Sequence, residues 1–466
     1  MFGEFFNHQL KRVIALTCLL GGSLLHADAP LHLPETLFPE LEGILQQMEN
    51  ESPEMLIQRA KVQAAEADEH SRLSKKYPQI YLNLQMMNRS EFRSSSPTYQ
   101  NTTQPFGVGR LEQELYHWGA LDAWRDIGKF RKSIEDNNYN ETYRLLTLRV
   151  RSLYLRLLFA REQVSYYRAE ANRLQKALGT SEQRADSGRI TVDQLENERL
   201  GAEEADIALS RALDETDMLE EDLRLATGWT GPINGVESGL ITQLSALEIA
   251  ESAMADDIIA SSAPPSVDYL NKQAELGIEE ADYTRIRSKN LPLIDFVIEA
   301  YQDQIATEGQ DNVDRTVVAA YIRVNWHIFD GFETQWQKIQ SKAKQRALEK
   351  QAEHIAAKDK LEVERLQRNR TLLERDIRLW SRRVALSENQ LQRVVSEREK
   401  NTATDNDVMN TRNQLLADQL TLVSYRLDLF GNSTELLSLF GRDPYGAPKQ
   451  SLDQSVEDVY DENFFW

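Results

Sequence analysis

Two stretches of this chain, residues 120–186 and 332–400, run without a proline and carry apolar residues at alternating steps of four and three. In the first, Leu146, Val150, Leu153, Leu157, Ala160 and Val164 mark the rhythm; in the second, Leu373, Ile377, Trp380 and Val384 do. Each is followed by a shorter segment with the same period: Ala202, Ala205, Leu209 and Ala212, then Leu416, Leu420, Val423, Leu427 and Phe430. A sustained 3.5-residue repeat lays one narrow apolar seam along a helix, which is coiled-coil packing and not a globular core. At 1.5 Å per residue either stretch extends roughly 100 Å, a length that no compact domain accommodates.

The two stretches belong to an internal duplication. Glu66-Ala67-Asp68 recurs as Glu280-Ala281-Asp282, Ser74-Lys75 as Ser288-Lys289 and Pro78 as Pro292, all at a shift of 214. Leu115-Tyr116 matches Ile328-Phe329, Thr191 matches Thr404 and Gly228 matches Gly441 at a shift of 213. The organisation expected is a first structural repeat over 30–229, a linker over 230–264, a second repeat over 265–442 and an acidic, disordered tail over 443–466. Each repeat reads helix, two strands, very long helix, tight turn, long helix.

Charge and composition narrow the function. Lys+Arg is 54 and Asp+Glu is 74, so 54 − 74 gives −20, the wrong sign for a nucleic-acid partner. Val13–Leu25 is apolar, follows Lys11-Arg12 and precedes small residues, so 1–29 reads as a secretory signal peptide. The single cysteine, Cys18, falls inside it, in a context that matches a lipoprotein signal poorly. Disulfides and thiolate metal sites are therefore not expected. The seven histidines are scattered, no His-Glu-x-x-His, phosphate loop or nucleophile elbow occurs, and neither enzyme activity nor a cofactor is expected.

The strands, expected over 79–88, 106–116, 293–302 and 316–329, are about ten residues long and one-sided. Ile80, Leu82 and Leu84 alternate with Tyr81, Asn83 and Gln85; Ile294, Phe296 and Ile298 alternate with Asp295, Val297 and Glu299. In the last strand Ile322, Val324 and Trp326 stand against Tyr321, Arg323 and Asn325. This dyad pattern suits a transmembrane β-barrel, with lipid on the apolar face and water on the other. A soluble sheet backed by a core is the competing reading, but the helices commit their apolar residues to seams. Four strands cannot close, and an open edge in hydrocarbon leaves backbone groups unpaired. Barrels start at about eight strands, so several chains must share one.

The residues at the element junctions resemble those of the TolC-type outer-membrane efflux proteins, over nearly the whole mature chain. Leu115-Tyr116-His117-Trp118-Gly119 and Ile328-Phe329-Asp330-Gly331 resemble the family's strand-to-helix junction, and Pro53 and Pro265 its helix-opening prolines. Gly188-Arg189-Ile190-Thr191-Val192-Asp193 and Asn401-Thr402-Ala403-Thr404-Asp405-Asn406-Asp407 resemble its helix-tip turn. The resemblance implies a mainly α fold with a small antiparallel β part: a homotrimer whose helical hairpins form a periplasmic α-barrel below a 12-stranded barrel in the outer membrane. It implies a passive exit duct for efflux or type I secretion, with a periplasmic adaptor and an inner-membrane transporter as partners and outer-membrane lipid around the barrel. The tips, Gly188, Arg189, Thr191, Asp193, Asn401 and Thr404, would dock the adaptor; Asp407, with Asp405, would ring the periplasmic aperture. Alternatively, those two carboxylates simply favour a helix N-terminus. Asn410 stands where a second family acid often lies. A periplasmic coiled-coil adaptor is the alternative function, and it leaves the one-sided strands unexplained.

Overall fold

The computed structural model describes residues 33–93, 96–234, 263–305 and 313–448. The expected signal peptide, most of the expected linker and the chain beyond 448 lie outside the described residues. The first repeat comprises α1 (Pro34–Leu37), α2 (Pro39–Glu51), α3 (Pro53–Leu73), β1 (Gln79–Arg93), β2 (Ser96–Tyr116), α4 (Ala120–Asp186) and α5 (Val192–Thr227). The second comprises α6 (Val267–Ser288), β3 (Leu293–Ile305), β4 (Val313–Asn325), α7 (Glu333–Glu399) and α8 (Asp405–Leu439). The duplication is visible in lengths: α4 and α7 both have 67 residues, and α5 and α8 have 36 and 35.

The turn from strand to long helix uses the same device twice. Trp118 and Gly119 both adopt positive φ (50° and 86°), and so do Gly331 and Phe332 (65° and 70°). A pair of left-handed residues bends the backbone sharply, and one glycine in each pair relieves the Cβ clash. The glycine occupies the second place in the first repeat and the first place in the second. In the second bend the Asp330 carboxylate accepts from the Thr334 N–H at 2.9 Å, satisfying an orphan donor of α7.

The four strands form one antiparallel sheet in the order β1-β2-β3-β4. Ile80 pairs with Leu111, Leu111 with Ile298 and Ile298 with Ala320, so these residues share one face. Five strand boundaries differ from the sequence reading, and in the second hairpin each strand is three residues longer at the turn, to Ile305 and back from Val313. The first hairpin reaches much further, to Arg93 and back from Ser96, through a polar ladder such as Asn88↔Thr103 and Ser90↔Asn101. Alternating apolar residues mark only the part of a strand that has an apolar side to cover, so this extension carries no dyad signal. Conversely, β4 ends at Asn325, so Trp326 lies just beyond the strand and not in it. Its indole donates to the Asn290 carbonyl at 3.1 Å, as Trp118 donates to Pro292 at 2.9 Å.

The helices form a layer. Near the sheet the side-by-side order is α3, α4, α6, α7; further away it is α5, α4, α8, α7. The main core lies where α1 and α2 cover the hairpin, with Phe38, Leu41, Ile44, Leu45 and Met48 packed on Val150, Tyr154, Leu157 and Leu223. A second seam joins Ile377 and Val384 of α7 to Leu415 and Leu422 of α8. The ordered chain also continues past the expected start of the tail. Asp443 is buried against Arg151 and Tyr445 packs on the core, because an internal guanidinium needs that carboxylate.

Candidate functional site

The sheet presents two chemically opposite faces. On one, register places Ile80, Leu82 and Leu84 of β1 in line with Leu111 of β2, Ile294, Phe296 and Ile298 of β3, and Ile322 and Val324 of β4. Ile80, Leu82, Leu84, Ile322 and Val324 are largely exposed, and the three β3 side chains are half-buried. No described helix covers this surface. Aromatic residues cluster at its helical end: Tyr116 meets Trp118 edge-on at 5.2 Å, and Phe329 meets Phe332 at 5.4 Å.

The opposite face is a charged ladder. Arg110 reaches Glu299 at 3.2 Å, and Tyr321 donates to the second oxygen of the same carboxylate at 3.1 Å. Arg323 bridges Asp295 at 2.9 Å and also contacts Glu112, while His117 contacts Glu114 at 2.8 Å. The long side chains lie flat across the strands, which leaves Val297 between them 0% exposed. Four carboxylates (Glu112, Glu114, Asp295 and Glu299) against two arginines make this face net acidic. Such a surface favours contact with water, whereas its reverse is mainly apolar.

The far ends of the hairpins carry the other candidate residues. Gly188 and Asn401 hold left-handed φ values of 71° and 60°, the conformation that ends a helix and reverses the chain. Both returning helices then open with the same reciprocal cap. Thr191 accepts from the Gln194 N–H at 3.2 Å while Gln194 accepts from the Thr191 N–H at 3.0 Å. Thr404 and Asp407 do likewise, at 3.2 and 2.9 Å. Asp405, one residue beyond the cap, is gripped by Arg398 from the end of α7 at 2.5 and 3.1 Å. Hydrogen bonds from Thr404 hold the Asp407 carboxyl below the usual carboxylate range, and Arg398 does the same for Asp405. Arg189 and Asp193 are exposed.

Both aperture candidates are thus brought to one tip, and within a single chain each already has a local partner. The spacing Thr-x-x-Gln and Thr-x-x-Asp was a legible signal for these caps. The Arg398–Asp405 clip carried no such signal, because it depends on how tightly the turn closes. Among the described residues, no group of three His, Cys, Asp or Glu side chains is placed to hold a metal ion. Nor is any described helix long and apolar enough to cross a membrane.

A four-stranded sheet with one bare apolar face, continued by helices of about 100 Å, is the fold of an outer-membrane channel protomer. The description "outer membrane efflux protein" belongs to the family whose sequence pattern matches residues 44–229, the first repeat. The fold extends the likeness over both repeats. A membrane protein from Pseudomonas aeruginosa superposes with a TM-score of 0.69 at 14% identity, covering 89% of this chain and 92% of that one. The CmeC outer membrane channel of Campylobacter jejuni gives 0.68 at 11% identity, covering 91% and 90%. The outer membrane protein VceC of Vibrio cholerae gives 0.64 at 14%, covering 86% and 96%. No curated protein matches the sequence. The first repeat thus matches the outer membrane efflux protein family by sequence, and both repeats share the fold of these outer-membrane channel structures.

Proposed function

We propose that three copies of this chain close into the passive exit duct of a tripartite efflux or type I secretion system, docked through the helix tips to a periplasmic adaptor and an inner-membrane transporter. One observation carries the trimer: every layer of the protomer ends in two unmatched edges, on the same two sides. The sheet ends in β1 and β4. The helical layers end in α3 and α5 beneath β1, and in α7 beneath β4. Both edge helices expose apolar residues seven apart, Leu372, Leu379 and Leu386 on α7, Leu200 and Ile207 on α5. An edge of one kind facing an edge of the other is a head-to-tail interface, the kind that forms a ring when the rotation between copies closes. Three copies supply twelve strands and leave no edge in lipid.

In this assembly Ile80, Leu82, Leu84, Ile294, Phe296, Ile298, Ile322 and Val324 face hydrocarbon, and Trp326 sits at the periplasmic headgroup level. The charged ladder lines the bore. Asp405 and Asp407 narrow the periplasmic mouth as a ring of carboxylates, and Gly188, Arg189, Thr191, Asp193, Asn401 and Thr404 form the docking ends. The test is the mass of the detergent-purified complex together with in-cell photo-cross-linking from Arg189 and Thr402. A trimer cross-linked to an adaptor supports the reading. A monomeric species, or a trimer that captures no envelope protein from either tip, refutes the corresponding half of it.

A further inference from the structure

Near the middle of α4 the Arg151 guanidinium is buried, and it holds segments from near both ends of the described residues. Its Nε donates to Glu35 Oε1 of α1 at 2.6 Å. Its Nη1 and Nη2 donate to the two oxygens of Asp443 at 2.5 and 2.9 Å. Glu35 and Asp443 are separated by more than 400 residues of sequence, and their side chains are as buried as that of Arg151. The rest of each end is fastened beside this ion cluster. Phe38 packs on Tyr154 at 5.8 Å, and Tyr445 places its ring 5.9 Å from the Arg151 guanidinium. Thr147 donates to the Tyr445 carbonyl at 3.4 Å, and the Tyr445 N–H donates to Asp443 at 3.0 Å.

We propose that Arg151 is a latch that makes the docking of the two chain ends a single cooperative event. A buried guanidinium that loses one carboxylate keeps N–H donors with neither protein nor water to receive them. Departure of one end therefore weakens the seat of the other, and linkage requires the coupling to be equal in both directions. The two arms are unequal in strength. Asp443 is bidentate, whereas Glu35 makes one bond and leaves Oε2 without a partner. Asp443 is synthesised long after α1 and α4, so α1 and Phe38 gain their full seat only once the segment after α8 has been made. All three latch residues belong to one chain, so the latch does not depend on the number of copies in the assembly.

Hydrogen exchange read by mass spectrometry tests this on the full-length, detergent-purified protein. Wild type is compared with Glu35→Gln, Asp443→Asn and the double variant, each of which keeps side-chain shape. Asp443→Asn should accelerate exchange at 33–38 as well as at 443–446. Glu35→Gln should accelerate 443–446, and the double variant should exceed either single one by less than the product of their effects. Couplings of this class span roughly 5- to 150-fold. Acceleration confined to the altered end, with multiplicative effects in the double variant, would overturn the latch. Tyr445→Ala, which loosens the tail and leaves Glu35, Arg151 and Asp443 in place, decides the matter if Asp443→Asn does not accumulate: unchanged exchange at 33–38 would count against coupling.

Discussion

Leu379 offers the sharpest separation between what holds one chain together and what joins chains. It lies on α7 two residues from Ile377, and the helical turn of about 200° between them puts the two on different faces. Ile377 is 6% exposed, in the seam with α8, whereas Leu379 is 62% exposed. Fully burying a leucine side chain is worth about 1.5–3 kcal/mol. Covering the remaining three-fifths at a neighbour's edge therefore stabilises each interface by about 1–2 kcal/mol, or about 3–6 kcal/mol over three interfaces. Leu379→Ala should lower the temperature at which trimers dissociate on semi-native gels and leave the helical circular dichroism of the chain unchanged. Ile377→Ala should instead cost about 2–5 kcal/mol within each protomer and reduce helicity. Loss of helicity with Leu379→Ala, or trimers as heat-resistant as wild type, would refute the assignment of this face to the subunit edge.

Arg at Ile298 or Ile322 places a charge on the bare apolar face at an expected cost of about 2–4 kcal/mol near the bilayer midplane, so the yield of assembled trimer should fall; normal yield would contradict the face assignment. Asp407→Asn keeps an acceptor for the Thr404 N–H and removes the charge, so cation block in planar bilayers should weaken while the tip stays folded; wild-type block in this variant would take Asp407 out of the aperture. The Asp405 and Asp407 pKa values are lowered by folding. Their contribution to the tip is thus fully present above the unfolded value of 3.8 and is lost as pH falls through the still lower folded values. Protection at 402–408, taken relative to the intrinsic exchange rate at each pH, should accordingly be flat from neutral pH to about 5 and fall only in stronger acid; a transition near neutrality would show that repulsion among the copies outweighs Arg398 and Thr404. Pro at Leu153 removes a backbone donor inside α4 and costs about 3 kcal/mol; unchanged helicity and trimer stability would disprove a continuous helix there.

Periodicity alone determined a large part of this protein. The 3.5-residue seams dictated hairpins too long for a compact domain, and the alternation in Ile80–Leu84 and Ile294–Ile298 dictated one-sided strands. Both signals are local, since a side chain's face follows from its place in the repeat. Left-handed turns at Gly188 and Asn401 were legible for the same reason, because few residue types tolerate that backbone. What only the tertiary structure decided is how distant segments meet. The polar extension of the first hairpin to Arg93 and Ser96 has no apolar face to advertise it. The strand end before Trp326 follows from where the left-handed bend falls. Nothing in the local pattern around Glu35, Arg151 or Asp443 distinguishes them from the many solvated charges of the long helices. Their burial arises because α1 and the segment after α8 converge on one point of α4, and a charge buried at such a convergence persists only with partners from elsewhere in the chain.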